Sequence, residues 1–549
     1  MNMDALPKDA GCGRRWTAAL ALVLSLCGCT GPLEYVRNGF KVGPNYRLPA
    51  ADTAADWIDA ADPRVRAEPA DFANWWSVFQ DPVLDDLIQT AYRQNLDVRT
   101  AATRILEALA QRNVQAANLL PQSQTALGAY VHGQISQNFG LPFPSTFNLW
   151  ATGFNASWEL DFWGRLRRSI ESAKANLDGA VEDYNNALVI LLAEAATSYV
   201  QLRTFQQRIA FANKNIEIQK GALEIAEARF GKGVATQLDV QQARANLAQT
   251  EALVPPLQIG LRQANNDLCL LLGLTPHDLL PRLAPEPIPL TPEAVSVGIP
   301  RELLRRRPDV RRAERNVAAQ SAQIGIAQAD FYPRFVLFGF IGYTADNFAR
   351  LFDASSYTGF IAPIFQWNIL NYGRLLNNVR FQGARWHENV LTYQQTVLRA
   401  QREAENALIA FLKAQEQTRS LADSVSAYER SVDLVLDQYR NGTADFNRVF
   451  TTQAALVSAQ DQWIAARGSI ALNLIALYRA LGGGWEIRFR KDIAPPDCSP
   501  ASLPMSKEAA LPEPSQQIPA PRRLSPKEDT AAAPEASNRP SSAPVLPIP

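Results

Sequence analysis

The sequence predicts a mainly α-helical chain with a few membrane-type β-strands, built from two copies of one helix, strand, strand, helix unit. Three observations predict it: a seven-residue hydrophobic repeat in a long stretch without proline, short segments with alternating apolar residues, and motifs that recur 209 positions later. The 549 residues include 54 basic and 54 acidic side chains. This balance argues against a nucleic acid partner, because no excess of positive charge is available to neutralise phosphates.

The internal duplication is visible in residues that keep a constant spacing. The set Trp158, Gly164, Arg165, Gly233, Leu272 and Gly273 recurs 209 positions later as Trp367, Gly373, Arg374, Gly442, Leu481 and Gly482. Further upstream, Asp97, Val98, Arg99 and Pro121 recur 212 positions later as Asp309, Val310, Arg311 and Pro333. The change of offset makes the first copy three residues longer. We expect the extra residues in the polar segment 133–147, since an insertion within a strand would shift its facing.

Long helices are predicted by the hydrophobic repeat of the first copy. Apolar side chains recur every seven residues at Val181, Leu188, Ala195, Leu202, Ile209, Ile216, Leu223 and Phe230. Such a repeat favours a left-handed supercoil, and residues 165–230 as one helix would be about 100 Å long. The alternative is a core helix broken at Gly179 and Gly221. Gly233 and Gly442 follow the long helical stretches and predict hairpin tips, with helix resuming near Leu238 and Asn447.

Strands are predicted where apolar residues alternate, in 154–162, 335–343 and 361–369. A fourth strand at 125–133 rests mainly on the duplication, and Pro363 requires a strand end or a bulge. Four strands cannot close a barrel, and an open edge is not tolerated in lipid. Chains must therefore share a barrel, with eight strands from two chains or twelve from three. A conduit favours twelve, because side chains fill an eight-stranded barrel.

The N-terminus predicts export from the cytoplasm. Arg14 and Arg15 precede the apolar run 16–26, as in a secretory signal peptide. The following residues, Leu26 to Cys29, resemble a bacterial lipobox, in which Cys29 is acylated and becomes the first residue of the mature chain. The alternative is an ordinary signal peptide with two incidental cysteines. No later run of about 18 apolar residues predicts a membrane-spanning helix.

These observations divide the chain into six segments. They are a signal peptide (1–28), a lipidated N-terminal segment (29–80), a first repeat (81–274), a proline-rich linker (275–300), a second repeat (301–485) and a proline-rich tail (486–549). The tail has too little apolar surface to order itself.

Catalytic, metal and cofactor sites are not predicted. The five cysteines and three histidines show no ligand spacing, no Ser/His/Asp arrangement is suggested, and no glycine-rich phosphate loop follows a strand. Glu159 and Asp161 lie where a strand meets a helix, but the second copy has Asn368 and Leu370 there. We therefore expect a structural role at this corner, and for Asp309 a role in stabilising a helix N-terminus.

Several motifs, in order and within the duplication, resemble one known family. They are Val42 to Tyr46 (VGPNY), Trp75 with Trp76, Arg307 to Val310 (RPDV), Tyr332 with Pro333, and Ala480 to Trp485 (ALGGGW). The chain resembles the TolC-like outer membrane factors of the lipoprotein, NodT-type branch, which are exit ducts of resistance-nodulation-division efflux pumps. The resemblance implies a homotrimer with a shared twelve-stranded β-barrel, a coiled α-helical barrel through the periplasm, and a belt formed by 31–80 and 275–300.

The resemblance also implies function and partners. The expected role is passive conduction of drugs or other small molecules across the outer membrane, with the energy supplied by an inner-membrane pump and a periplasmic adaptor as connector. The protein would be anchored by lipid in the outer membrane and extend into the periplasm. Two alternatives remain open: an exit duct of type I protein secretion, which shares the fold, and a periplasmic adaptor lipoprotein, which would have one hairpin rather than two.

Candidate site residues follow from the same resemblance. Contact with the adaptor is assigned to the hairpin tips, at Arg229, Gly233, Asp239, Tyr439 and Gly442, although the glycines equally fit a role in making the turns. The pore constriction of relatives has an aspartate followed three residues later by an arginine, and this chain has Thr451 and Ala454 there. The nearby Asp445, Asn447 and Arg448 are the candidates for a ring of polar side chains repeated by threefold symmetry. Arg448 alternatively pairs with a helix neighbour.

Overall fold

A computed structural model describes residues 31–68, 72–136, 146–283 and 285–490, together with 493 and 496. The predicted signal peptide, Cys29 and nearly all of the proline-rich tail lie outside the described residues. None of the described helices is both long enough and apolar enough to cross a membrane.

The elements follow the two-copy plan. The helices are α1 (Pro32–Arg37), α2 (Pro82–Gln94), α3 (Leu96–Ala117), α4 (Arg165–Gly231), α5 (Gln237–Glu251), α6 (Val254–Leu271), α7 (Leu280–Leu283), α8 (Leu303–Arg306), α9 (Pro308–Ala329), α10 (Arg374–Arg440) and α11 (Phe446–Ala480). The strands are β1 (Val65–Arg66), β2 (Ser123–Gln134), β3 (Thr146–Leu160), β4 (Val295–Ser296), β5 (Arg334–Ala345) and β6 (Tyr357–Gln366).

The two long helices, α4 and α10, have the same length of 67 residues, which corresponds to about 100 Å at 1.5 Å per residue. Each begins after a glycine in the left-handed region, Gly164 at φ 79° and Gly373 at φ 81°. The predicted long helix is confirmed. The alternative of a break is wrong, because α4 continues through Gly179 and Gly221.

The returning helices differ between the copies. In the second copy α11 is continuous over 35 residues, whereas in the first copy α5 and α6 are separated at 252–253. The first turn of α6 contains Pro255 and Pro256, and proline is tolerated there because it needs no partner for a backbone N–H. The second copy has Ile464 and Ala465 at these positions, so its helix is not interrupted.

The four longer strands form one antiparallel sheet in the order β2, β3, β5, β6, so the four predicted strands are confirmed. In the middle of β3, Phe154 is paired with Ala126 of β2 on one side and with Ile341 of β5 on the other. Pro363 lies inside β6, opposite Leu337 in an unbroken run of pairs, so the expected strand end or bulge is not found. In the single chain β6 is an edge strand, where proline is tolerated. The third predicted strand stops at Gln366, short of Ile369.

The extra length of the first copy lies mostly in the predicted segment 133–147. Counted from the pairs Ser123–Ser157 and Arg334–Gln366, the tenth pairs of the two strand hairpins are His132–Asn148 and Tyr343–Tyr357. These pairs enclose 15 residues in the first copy and 13 in the second, which accounts for two of the three extra residues. The third is Gln122, which separates Pro121 from β2, whereas β5 directly follows Pro333. Part of the predicted loop is strand, because the pairing of β2 and β3 continues to Gln134 and Thr146.

The N-terminal segment and the linker meet against the long helices. Strands β1 and β4 form a short parallel pair, with Val65 opposite Val295. Arg64 donates to the carbonyl of Leu412, near the middle of α10, at 3.1 Å. The indole of Trp57 donates to the carbonyl of Gly298 at 2.8 Å. These contacts fasten both segments around the middle of the helical part.

Two of the family-like motifs, Trp75 with Trp76 and Ala480 to Trp485, lie in or against the main hydrophobic core. Trp75 is buried and stacks on Tyr478 of α11 with ring centroids 5.5 Å apart. Arg307 donates to the carbonyl of Ala480 at 2.8 Å and forms an ion pair with Asp309. The last carbonyls of a helix have no partner within the helix, and Arg307 supplies a hydrogen bond to the last one of α11. Asp309 lies in the first turn of α9, as its predicted stabilising role requires.

Candidate functional site

The tips of the two helical hairpins have the same turn geometry. Gly233 and Gly442 both have a positive φ, 72° and 73°, which disfavours a side chain. One residue later, the N–H of Val234 donates to the carbonyl of Arg229, and the N–H of Thr443 donates to that of Gln438. These bonds provide partners for carbonyls in the last turns of α4 and α10, as in a glycine-terminated helix end. Both predicted tips are confirmed, and both glycines make the turn.

The returning helices start with side-chain caps. Thr236 and Asp239 form a reciprocal capping box at the start of α5. The carboxylate of Asp239 accepts from the N–H of Thr236 at 3.2 Å. At the start of α11, Asp445 occupies the position equivalent to Thr236, and its carboxylate accepts from the N–H of Arg448 at 3.1 Å. Asp239 and Asp445 therefore both have a local structural function at the tips.

The two tips are joined by one side chain. The guanidinium of Arg229 donates to the carbonyl of Arg440 at 2.9 Å and lies 4.9 Å from the ring centroid of Tyr439. The Tyr439 ring packs in turn on Phe446, with centroids 5.3 Å apart. A small apolar cluster surrounds them, formed by Ala226, Val240, Ala243, Val435, Tyr439, Phe446 and Val449.

Tyr439 belongs to the interior of the tip. Its side chain is 2% exposed, and burial raises the pKa of its phenol, with the carboxylate of Asp239 acting in the same direction and Arg229 opposing it. The phenol is therefore neutral at physiological pH. In the single chain Tyr439 presents no surface to a partner, and its function is to support the tip.

The first tip exposes apolar side chains that the second tip lacks. Phe230, Val234 and Leu238 are 47%, 60% and 64% exposed. The positions 209 residues later hold the buried Tyr439 and the polar Thr443 and Asn447. Sequence reasoning missed this difference. Comparing the two copies position by position around the turns would have revealed it.

The candidate constriction residues lie together at the start of α11. Asp445, Asn447 and Arg448 are all exposed in the single chain. Thr451, one turn further, donates its hydroxyl to the carbonyl of Asn447 at 3.0 Å. Ala454, at the other position of the constriction motif, is half-buried on the same helix.

The corner between β3 and α4 is built from ion pairs. The carboxylate of Glu159 accepts from the guanidinium of Arg165, whose Nη2 lies 2.8 Å from both carboxylate oxygens and whose Nε lies 3.0 Å from Oε1. Asp161 accepts from the N–H groups of Leu166 and Arg167, both at 3.0 Å. Asp161 therefore pairs otherwise unbonded N–H groups in the first turn of α4, and Glu159 holds the side chain of Arg165, as predicted for a corner role.

Comparison with known proteins identifies the family. The model of the outer membrane efflux protein family matches residues 87–274 and 299–483, which together are more than half of the chain and coincide with its two copies. The chain belongs to this family. It is an outer membrane efflux channel and is not an enzyme. The predicted family and exit-duct role are confirmed.

Individual relatives agree over nearly their whole length. The pyoverdine export outer membrane protein OpmQ of Pseudomonas putida is 31% identical over 480 residues, covering 86% of this chain and 98% of the relative. Nodulation protein T of Rhizobium leguminosarum bv. trifolii is 29% identical, covering 82% and 95%. The outer-membrane channel OprN has a TM-score of 0.77 and 35% identity, covering 81% of this chain and 99% of that structure.

Proposed function

We propose that three copies of this chain form the exit duct of a tripartite efflux pump. The observation that carries the proposal is the sheet of four strands, whose edges β2 and β6 have no partner strand among the described residues. An unpaired edge is not tolerated in lipid, so β6 of one copy pairs with β2 of the next. Three copies give twelve strands, enough to enclose a conduit.

The helical part continues the duct into the periplasm. Because α4 and α10 have equal length and their tips are joined by Arg229, the two hairpins of one chain end together. Three chains then present six tips to the periplasmic partners. The relatives are named for pyoverdine export and toluene efflux, which supports small molecules as the cargo of this chain. The duct is passive, and an inner-membrane pump supplies the energy. A type I secretion duct is the second candidate, since it shares the fold.

The adaptor-binding surface is proposed at the hairpin tips. Arg229, Gly233, Asp239, Tyr439 and Gly442 support it by fixing the shape of the turns. The exposed Phe230, Val234 and Leu238 of the first tip then provide the apolar area that a partner helix can cover.

Two further assignments complete the proposal. Asp445, Asn447 and Arg448 form the narrowest ring of the duct when repeated by threefold symmetry, because they are exposed at the tip and carry polar groups. Cys29 carries the acyl chains that anchor the N-terminus in the outer membrane.

The test of the duct is the oligomer mass of the purified full-length chain in detergent, together with its single-channel conductance in planar bilayers. Trimers with discrete conductance steps are expected. Monomers without conductance would contradict the shared barrel.

The test of the tip surface uses the internal duplication as its control. Val234→Asp places a charge in the apolar patch of the first tip, and Thr443→Asp places the same charge at the equivalent position of the second. In cells deleted for the native copy, Val234→Asp should lower drug efflux at least about tenfold more than Thr443→Asp, because a buried unpaired charge costs several kcal/mol. Both variants should keep trimer mass and conductance. Equal efflux from the two variants would contradict the apolar docking surface.

A further inference from the structure

The segment that follows Cys29 is held firmly at the corner between β3 and α4. The hydroxyl of Tyr35 donates to the carbonyl of Phe162 at 2.6 Å. Arg167, in the first turn of α4, donates to the carbonyls of Gly39 and Phe40, both at 2.7 Å. Tyr35 within α1 and the adjacent Gly39 and Phe40 after it are therefore fixed to the same corner, and these bonds set the orientation of α1.

Apolar side chains are exposed at this corner. Leu33 and Val36 lie three residues apart on the side of α1 that is turned away from Tyr35, and they are 76% and 57% exposed. Phe40 and Phe162 are also exposed, although both contact Tyr35: the Phe40 ring packs on it with centroids 5.5 Å apart, and the Phe162 carbonyl accepts from its hydroxyl. We call these four residues the corner patch. The Tyr35 ring itself packs against Trp163 at 5.7 Å.

The second copy exposes apolar residues at the same level. Ile369, Leu370 and Tyr372 follow β6 and are exposed, with Tyr372 at 97%. Both corners lie 67 helical residues from hairpin tips that are joined to each other, so they lie at equal distance from those tips. Apolar exposure at the same level of both corners is the pattern that a membrane surface produces.

We propose that the corner patch lies in the inner leaflet of the outer membrane, at the boundary between headgroups and acyl chains. This inference rests on the proposed function, in which the strands cross that membrane. The proposed function also assigns the acyl chains to Cys29, and because Gly31 follows Cys29 by two residues, covalent geometry limits the distance between them to about 7 Å even for an extended chain. The acyl chains must enter the leaflet beside α1. The exposed Arg37 in the last turn of α1 is suited to the phosphates of the headgroups.

The experiment places a fluorescent probe on α1 in the working channel. Cys269 and Cys498 are replaced by alanine and serine, and single cysteines are introduced as Leu33→Cys, Val36→Cys or Glu34→Cys and labelled with an environment-sensitive dye. Glu34 is the matched control, because it is exposed on the same helix but away from Leu33 and Val36. The full-length channel is reconstituted in vesicles of phosphatidylethanolamine and phosphatidylglycerol. Quenching is measured with a spin-labelled lipid and with aqueous iodide.

The expected result is that the spin-labelled lipid quenches probes at Leu33 and Val36 at least about threefold more strongly than the probe at Glu34, with the opposite order for iodide. Equal iodide quenching at all three positions would overturn the inference. Protection from both quenchers would also overturn it, because a neighbouring copy or the C-terminal tail would then cover the patch. Conductance of the same vesicles separates the two proposals: a conducting channel with probes in water refutes only the corner patch, whereas absent conductance refutes the duct.

Discussion

The guanidinium of Arg229 donates to the main-chain carbonyl of Arg440 across 2.9 Å, and this bond joins two hairpins that are 211 residues apart in sequence. The same guanidinium lies over the ring of Tyr439, which is buried in the second tip. One side chain of the first copy thus pairs with a helix-terminal carbonyl and an aromatic face of the second. The ends of the two hairpins are coupled by a contact that the duplication does not repeat, since the position equivalent to Arg229 is Gln438.

Arg229→Ala should loosen the second tip while leaving the rest of the chain unchanged. The variant loses a charged hydrogen bond and a cation–π contact, which together are worth about 1–2 kcal/mol at a partly exposed site. Amide hydrogen exchange in 439–446 should become roughly tenfold faster. Arg244→Ala is the control, because its pair with Glu227 lies nearby and is exposed on both sides. Unchanged exchange in Arg229→Ala would show that the tips are held by the apolar cluster alone.

Gly43→Ala should release the N-terminal segment from the corner. A Cβ at Gly43 would lie well inside van der Waals contact with the backbone of Gly325, and the φ of 88° adds backbone strain. The expected cost is about 3 kcal/mol or more, seen as faster proteolysis within 31–46. Gly39→Ala is the matched control, since Gly39 also has a positive φ, 66°, but has open space around it. It should cost about 1 kcal/mol. Equal effects of the two variants would refute close packing as the cause.

Asp62→Asn should remove a pH-dependent part of the attachment near β1. Bonds from the side chain and the backbone N–H of Arg64 lower the pKa of Asp62 from 3.8 to about 2. Because this pKa is lower in the folded state, the stabilisation is complete above about pH 4 and is lost as the pH falls through about 2. Hydrogen exchange in 62–66 should therefore differ between wild type and variant above pH 4. The difference should disappear near pH 2, and a difference that persists there would contradict the assignment to Asp62.

The Arg208–Asp461 pair should contribute measurable coupling between the hairpins. Two parallel bonds of 2.7 and 2.9 Å join α4 to α11 at a half-buried position. A double-mutant cycle with Arg208→Ala and Asp461→Ala is expected to give about 1 kcal/mol of coupling in urea unfolding of the detergent-solubilised chain. The pair of Lys220 and Glu217 lies on the surface of α4 and serves as the control without measurable coupling. Equal coupling energies for the two pairs would contradict a contribution of the Arg208–Asp461 pair to the association of the hairpins.

Local patterns were sufficient to predict the main architecture. The seven-residue repeat and the absence of proline gave the long helix of the first copy, and the duplication gave the second, because helix formation depends on neighbouring residues. The tips at Gly233 and Gly442 followed from the left-handed backbone that such turns require. Even the weak strand β2 was found, since its copy β5 carries a clearer alternation.

Features that depend on distant contacts were not predicted. The pairing of β1 with β4 involves two residues on each side, too short for any sequence period. The burial of Tyr439 depends on Phe446 and Arg229, which approach it only when both hairpins are formed. The strand pairing inside the predicted loop segment 133–147, which continues as far as Gln134 and Thr146, was not predicted either, because both strands of a hairpin can grow together without changing the facing of the pairs already formed.

The identical length of α4 and α10 restricts how such a chain can change during evolution. Removing one helical turn from α4 alone would raise the first tip by about 5.4 Å relative to the second and pull Arg229 away from the carbonyl of Arg440. A change in the length of the duct therefore has to occur in both copies and in both arms of each hairpin. The two long helices therefore have to keep equal lengths, and insertions or deletions in one copy alone should be confined to the strand hairpins and to the chain ends.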